Sequence, residues 1–241
     1  MQWVDICWRF VRQESKRGTM GRTLVIARPL VVGLREQHKQ DKFRRIKAAA
    51  TKLFSQKGFE AATPREIAKR ARVSHATIFQ YAEDKNELAY LIFSDKIDQA
   101  HNISFAAIRP EMSLLEQLMT ALSGGYLEFI KDATLGRALV KTSAEFQFGK
   151  QAKRVQAHRR EIIAKLAELI AGAKRSGIIR TEEDPEFIAR DLFGSVYASV
   201  RFWLVQENPD PVKGLSDLRR IIKLHIQALK PTPEAFGETK G

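Results

Sequence analysis

The chain has 241 residues, 44% of them hydrophobic, which is enough for one small and one larger domain with real apolar cores. Its single cysteine, Cys7, excludes an intrachain disulfide and a thiolate metal site, and its five histidines show no ligand spacing. The formal charge of +13 favours a polyanionic partner, and it is concentrated at one end. Residues 1–40 hold eight Lys/Arg against three Asp/Glu and residues 41–85 hold eleven against five, so the other 156 residues carry only +2. No run of eighteen apolar residues occurs, so no membrane span is expected and the expected location is the cytoplasm.

In chain order, residues 1–40 come first. Trp3, Trp8 and Phe10 stand at helical spacing ahead of a basic KRGTMGR stretch. Asp5, Arg9 and Arg12 interrupt any apolar run and no small-residue cleavage site follows, so this is not a signal peptide. Three readings stay open: a basic arm on DNA, a start of translation at Met20 or beyond, and a disordered extension, which is the one favoured here.

A lead helix follows, FRRIKAAATKLFSQKGFEAAT, and then the most informative stretch, TPREIAKRARVSHATIFQYAEDK from Thr63 to Lys85. Thr63 with Glu66 is a capping box, in which each side chain satisfies an orphan backbone N–H of the first turn. Pro64 takes the first helical position, where its missing N–H costs nothing. Ile67, Ala68 and Ala71 form a short apolar stripe, with Arg65, Lys69, Arg70 and Arg72 outside it. Ser74 caps the next helix, and Val73 is placed to staple onto Ile78. Asp84 with Glu87 reads as another capping box, opening a third helix at Lys85. Ile78 and Ala82 are expected to point inward. His75, Ala76, Thr77, Phe79, Gln80 and Tyr81 are then left on or near the open face.

Those residue types suit a helix that enters a major groove. His75, Thr77 and Gln80 have hydrogen-bonding groups for base edges or phosphates, and Ala76 and Phe79 offer apolar contact to a thymine methyl. Thr63, Tyr81 and Lys85 sit near helix ends, where phosphates are commonly held. Arg65 can address the backbone or a guanine edge. Taken singly, each of these is more ordinarily a solvated polar residue on a three-helix bundle; together with three caps and basic flanks they read as a DNA-binding unit.

Residues 43 to 91 resemble the DNA-binding domain of the TetR/AcrR family of transcriptional regulators. The resemblance is carried by Ala49, Leu53 and Phe54, by Gly58 with Phe59 at the end of the lead helix, and by Ala76, Thr77, Ile78, Phe79, Gln80, Tyr81 and Lys85. Phe79 departs from the family's usual Tyr, removing one hydroxyl, and Ala82 replaces a larger apolar residue. The resemblance implies DNA contacts at Thr63, Arg65, Ser74, His75, Ala76, Thr77, Phe79, Gln80, Tyr81 and Lys85. It also implies an all-α architecture: a helix-turn-helix domain over 41–86, and a larger effector-binding and dimerisation domain over 87–230.

Beyond Asp84 the pattern is helical throughout. Helices are expected over 85–108, from the Ser113–Glu116 capping box to about Lys131, over about 133–147, from Ala152 to Lys174 with Gly177 as C-cap, from Asp184–Pro185 to about Gln206, and over about 213–230. Gly124 and Gly125 mark a kink or a close approach. Residues 231–241 read as a disordered tail. In the TetR/AcrR family the last two long helices pair with their twofold mates, and here Glu186–Gln206 and Val212–Leu229 carry more apolar residues than one stripe needs. The effector pocket is expected to involve Tyr126, Phe129, Thr142 and Phe146, with Phe148, Ser143 and Glu145 as further candidates. The ligand is left open: a drug, a fatty acyl compound, or none.

No Gly-rich phosphate loop, metal-spaced cluster or nucleophile motif is present, so no enzyme, cofactor or metal is expected. The expected function is a homodimeric repressor that binds a palindromic operator and releases it on binding an effector. The alternative is a helical DNA-binding protein with no small-molecule response, acting architecturally or through another protein.

Overall fold

Among the described residues, six helix starts carry a side-chain cap. Thr63, Ser74, Asp84, Ser113, Asp184 and Asp210 each accept a hydrogen bond from a backbone N–H of the turn that follows. The computed structural model describes residues 33–131, 133, 136, 137 and 152–237, and its regular elements are helical. In chain order these are α1 (Leu34–Ala61), α2 (Pro64–Ala71), α3 (His75–Tyr81), α4 (Lys85–Ala106), α5 (Leu114–Lys131), α6 (Ala152–Arg175), α7 (Pro185–Leu204) and α8 (Pro211–Ala228). A 3₁₀ turn, Pro233–Phe236, follows α8. The chain divides into two units at Gln40; of the first, residues 33–40 are described and supply the opening turns of α1. Trp3, Cys7, Trp8 and Phe10 lie outside the described residues, as does most of the helix expected over 133–147.

α1 is broken at Gly58, whose φ of 81° and ψ of 163° are non-helical. A residue with a Cβ strains there, so glycine lets the chain turn while Phe59 folds back beside Phe54, ring centroids 5.3 Å apart. α2 ends on Arg72, in the left-handed region at φ 54°, with its N–H on the carbonyls of Ala68 and Lys69. The Asp84 cap differs from the expected box. Asp84 accepts from Glu87 N at 2.7 Å, but the buried Glu87 carboxylate returns to the N–H of Glu83 instead of Asp84. The last helix, expected from about residue 213, opens two residues earlier at Pro211 with Asp210 as its N-cap.

Among the described residues two large apolar cores result, with a smaller cluster of Tyr126, Val200, Trp203 and Leu204. Ile46, Ala50, Phe54, Ile67, Ile78 and Ala82 pack with Leu88, Leu91 and Ile92 from the start of α4. Leu115, Leu118, Leu166, Ile170, Leu192 and Ile222 form the larger core among α5–α8. α4 thus contributes its first turns to the three-helix unit while packing along α5. Gly124 and Gly125 mark a close approach and not a kink: a Cβ on Gly124 would lie 2.0 Å from Ser104 Oγ, and one on Gly125 2.5 Å from His101 Nε2.

The expectation of a disordered tail from residue 231 is corrected for 231–237. Arg180 N donates to Leu229 O at 3.0 Å and Thr232 N to Ile178 O at 2.9 Å, which ties the segment to the end of α6. Ala235 is then fully buried in the larger core. Apolar burial holds this segment although Pro231 and Pro233 cannot continue α8.

Candidate nucleic-acid interface and internal cavity

α3 is held by Ile78 and Ala82 beneath it, at 1% and 0% exposure. Its outer side presents His75, Ala76, Phe79 and Gln80, all exposed. The His75 and Phe79 rings meet edge to face at 5.0 Å and 87°, a one-turn contact that orients both outward. Arg65 is exposed in the first turn of α2. The remaining expected contacts have duties inside the protein. Ser74 Oγ accepts from Thr77 N at 3.1 Å and lies 2.8 Å from Thr77 Oγ1. Thr63 Oγ1 donates to Glu66 Oε2 at 2.7 Å. The Tyr81 ring is half-buried and stacks on Phe43, centroids 5.4 Å apart.

Lys85 is the largest departure in placement. Its Nζ donates to the carbonyls of Phe59 and Glu60, at 3.1 and 3.0 Å, and stands 4.4 Å from the centre of the Phe59 ring. An ammonium on the last carbonyls of α1 is favoured by their partial negative charge. Glu66, across from Lys57, pairs with it and also closes the α2 cap. Hydrogen bonds from Lys57 first, then from Thr63, bring its carboxyl down to about 2.

A second feature is internal. α4, α5, α6 and α7 line a partly open cavity of about 120 Å³. Tyr126 and Phe129 are among its lining residues. Thr142 and Phe146 lie outside the described residues, as do Ser143, Glu145 and Phe148. Ile97, Leu122, Val155, Ile162, Val196 and Val200 make most of the wall apolar. Tyr126 also touches Trp203, ring centres 4.9 Å apart, and its hydroxyl is wedged against Gly214, where a Cβ would lie 1.3 Å away. Burial, then the charges of Asp217 and Asp210, push the Tyr126 phenol up.

The polar groups of this cavity were not expected from sequence. Tyr90, Asp98 and His101 come from α4, His158 and Arg159 from α6, and Tyr197 from α7. His101 and His158 are 57 positions apart, yet their rings stand 5.3 Å from each other. Burial, then the charge of His158, lowers His101 to about 4, so its ring is neutral at physiological pH. Burial, then Asp98, pushes Tyr90 up to about 12. The signal present in the sequence was Asp98 and His101 at i, i+3 on the side of α4 that carries Ile97, an arrangement that needs a polar partner across the interface.

Residues 46–90 match the model of bacterial regulatory proteins, tetR family. The match covers the lead helix and the capped helix pair, and so assigns that segment as a domain of the tetR type. The chain is 29% identical over 181 residues to the uncharacterized HTH-type transcriptional regulator YhgD of Bacillus subtilis, covering 74% of this chain and 94% of that protein. It is 22% identical to the fatty acid metabolism regulator protein of the same organism, covering 75% and 93%. Thermus thermophilus FadR, a TetR-family repressor solved with lauroyl-CoA, has the same fold: TM-score 0.59 at 19% identity, covering 83% of this chain and 97% of that one. The matched domain and these relatives are those of transcriptional regulators, which supports a DNA-binding regulator. Among its described residues, no helix is long and apolar enough to cross a membrane.

Proposed function

We propose that the protein is a homodimeric repressor that binds a palindromic operator through α3 and releases it when a small molecule enters the cavity. One observation carries this reading: α4 is shared. Leu88, Leu91 and Ile92 belong to the core of the three-helix unit, and Ser94, Asp98 and His101, further along the same helix, line the cavity. A ligand that favours one position of α4 therefore alters the spacing of two recognition helices, which must stand about one DNA turn or a multiple apart.

Within the operator complex, His75 and Gln80 read base edges, Ala76 and Phe79 give apolar contact, and Arg65 reaches a base or the backbone. Ser74, Thr77, Thr63, Tyr81 and Lys85 hold α3 and the helix ends in place, and address phosphates from there. The domain division is taken at 41–86 and 87–230, with Leu88, Leu91 and Ile92 reaching across it into the first core. For the dimer, support comes from Phe187 and Phe202 on α7 and Val212 and Leu224 on α8, large apolar residues that one chain leaves exposed. For the effector, support comes from the apolar wall and from the fold shared with a regulator that binds lauroyl-CoA. An apolar-chain compound is the first class to test.

Selection of bound DNA from random sequence tests the central claim, with one palindromic site as the expected outcome. Enrichment of no site, or of a single unrepeated half-site, refutes it. A His75 and Gln80 double substitution is expected to change the selected sequence, by roughly 1–3 kcal/mol for each contact that is to a base. Titrating acyl compounds against the operator complex separates this reading from a regulator without a ligand, which no compound displaces.

A further inference from the structure

Around position 95, α4 changes partners. Leu91, Ile92 and Phe93 are buried in the core of the three-helix unit, whereas Phe105, further along, packs against the larger core. Asp95 stands between these stretches with its side chain half exposed, and its two oxygens serve different helices. Oδ2 pairs with Lys47 Nζ of α1, and Oδ1 pairs with Arg154 Nη2 of α6. Arg154 Nη2 also approaches Asp98 Oδ2 at 3.3 Å, and the other Asp98 oxygen lies 2.9 Å from His158 Nδ1 in the cavity wall. A charged chain thus runs from the cavity wall to the lead helix of the DNA-binding unit.

The two helices that Asp95 joins belong to different cores. Ile46, Ala49 and Ala50 of α1 lie in one, and Ile162, Leu166 and Ile170 of α6 in the other. Apolar packing is non-directional and does not by itself set the angle between two separate cores, whereas two cations held on the two oxygens of one carboxylate do. Burial, then the charge of Arg154, lowers the Lys47 ammonium below its ordinary value, so the two cations act on each other. Without a charge at position 95, the attraction of both for Asp95 gives way to the repulsion between them. The Lys47, Asp95 and Arg154 side chains are 26%, 49% and 36% exposed, so each pair is screened and adds little to folding. Geometry is what the shared carboxylate supplies.

We propose, building on the dimeric operator reading above, that Asp95 is a positioning residue. By holding Lys47 and Arg154 together it sets the angle between the three-helix unit and the effector domain, and with it the half-site separation that the dimer accepts. Arg154 ties the same joint to the cavity, since it is shared between Asp95 and the cavity-wall Asp98.

The test uses the full chain and operators built from one selected half-site, with the separation between half-sites varied base pair by base pair at fixed salt. The native chain is expected to prefer one separation. Asp95→Asn is expected to lower that preference about fivefold, which two screened ion pairs supply together, while the sequence preference within each half-site stays unchanged. Asp95→Glu, which keeps the charge, is expected to retain most of it. Because the tie needs both cations, combining Lys47→Gln with Arg154→Gln is expected to lower the preference no further than the stronger of the two alone. A native preference that survives intact in Asp95→Asn overturns the inference and leaves the operator reading standing. So does an equal loss of affinity at every separation, which a merely structural residue would give, and so do additive losses from the two cations. If the native chain has no preferred separation, the dimeric operator reading falls and this inference falls with it.

Discussion

At the scale of single residues, the electrostatics of the α2 cap are open to measurement. Glu66 is held at about 2 by Lys57 and Thr63, against an ordinary value of 4.5. Its folded value is depressed, so the stability it contributes is complete above about 4.5 and is lost as the pH falls towards about 2. Glu66→Gln is therefore expected to lower the melting temperature at neutral pH by an amount that shrinks through this window. Thermal unfolding at stepped pH checks this, and a constant difference down to pH 2 contradicts it. Gly214 offers a steric counterpart. A Cβ there would lie 1.3 Å from Tyr126 Oη and 2.9 Å from Trp203 Nε1, which itself donates to Asp210 O at 2.8 Å. Gly214→Ala is expected to cost about 1–3 kcal/mol in urea unfolding, with part of it recovered by Tyr126→Phe. Lys85 holds the carbonyls of Phe59 and Glu60, so Lys85→Ala is expected to weaken all DNA sequences alike. The accompanying fall in salt slope of roughly one appears if its ammonium also meets a phosphate.

At the scale of elements, the helix starts were legible in the sequence because a cap is a local event. Thr63 and Glu66, Ser74 and Thr77, and Ser113 and Glu116 lie three residues apart and need no tertiary context to find each other. Replacing Ser74 with Ala is accordingly expected to cost about 1 kcal/mol and to reduce operator affinity through loss of α3. What the helices do to one another was less legible. The two glycines of α5 gave two possibilities, and only the packing of α4 against them selected close approach. Gly124→Ala meets Ser104 Oγ at 2.0 Å and Ala100 O at 2.8 Å, and backbone cannot yield as a side chain does. That substitution is expected to destabilise the chain by about 1–3 kcal/mol and to alter ligand response, because it displaces the helix that the cavity and the DNA-binding unit share.

At the scale of the molecule, the expectation of surplus apolar surface on the last two long helices needs sorting by residue. Ile188, Leu192, Val196, Val200, Trp203 and Leu204 of α7, and Leu218, Ile222 and Ile226 of α8, are buried within one chain. The residues left for a partner are others: Phe202 is 74% exposed and Leu224 65%. Glutamate at both positions is expected to give a monomer in sedimentation, with loss of tight operator binding but an unchanged melting profile in dilute solution. A dimer that survives the double substitution removes this face from the interface.

The sequence by itself determined the all-α class, the capped helix pair, the inward positions Ile67, Ala71, Ile78 and Ala82, and the outward position of His75, Ala76, Phe79 and Gln80. All of these follow from spacings of three or four residues, which helical geometry converts directly into faces. Tertiary structure alone decided that Lys85 reaches back to Phe59 and Glu60, that Tyr81 stacks on Phe43, and that His101, His158, Asp98 and Arg154 meet at one corner of a cavity. Those partners are tens of residues apart, and their approach depends on how α1, α4 and α6 cross. Helix periodicity says which side of a helix is buried but not which neighbour it will face. The polar corner of the cavity therefore became visible only once the helices were packed.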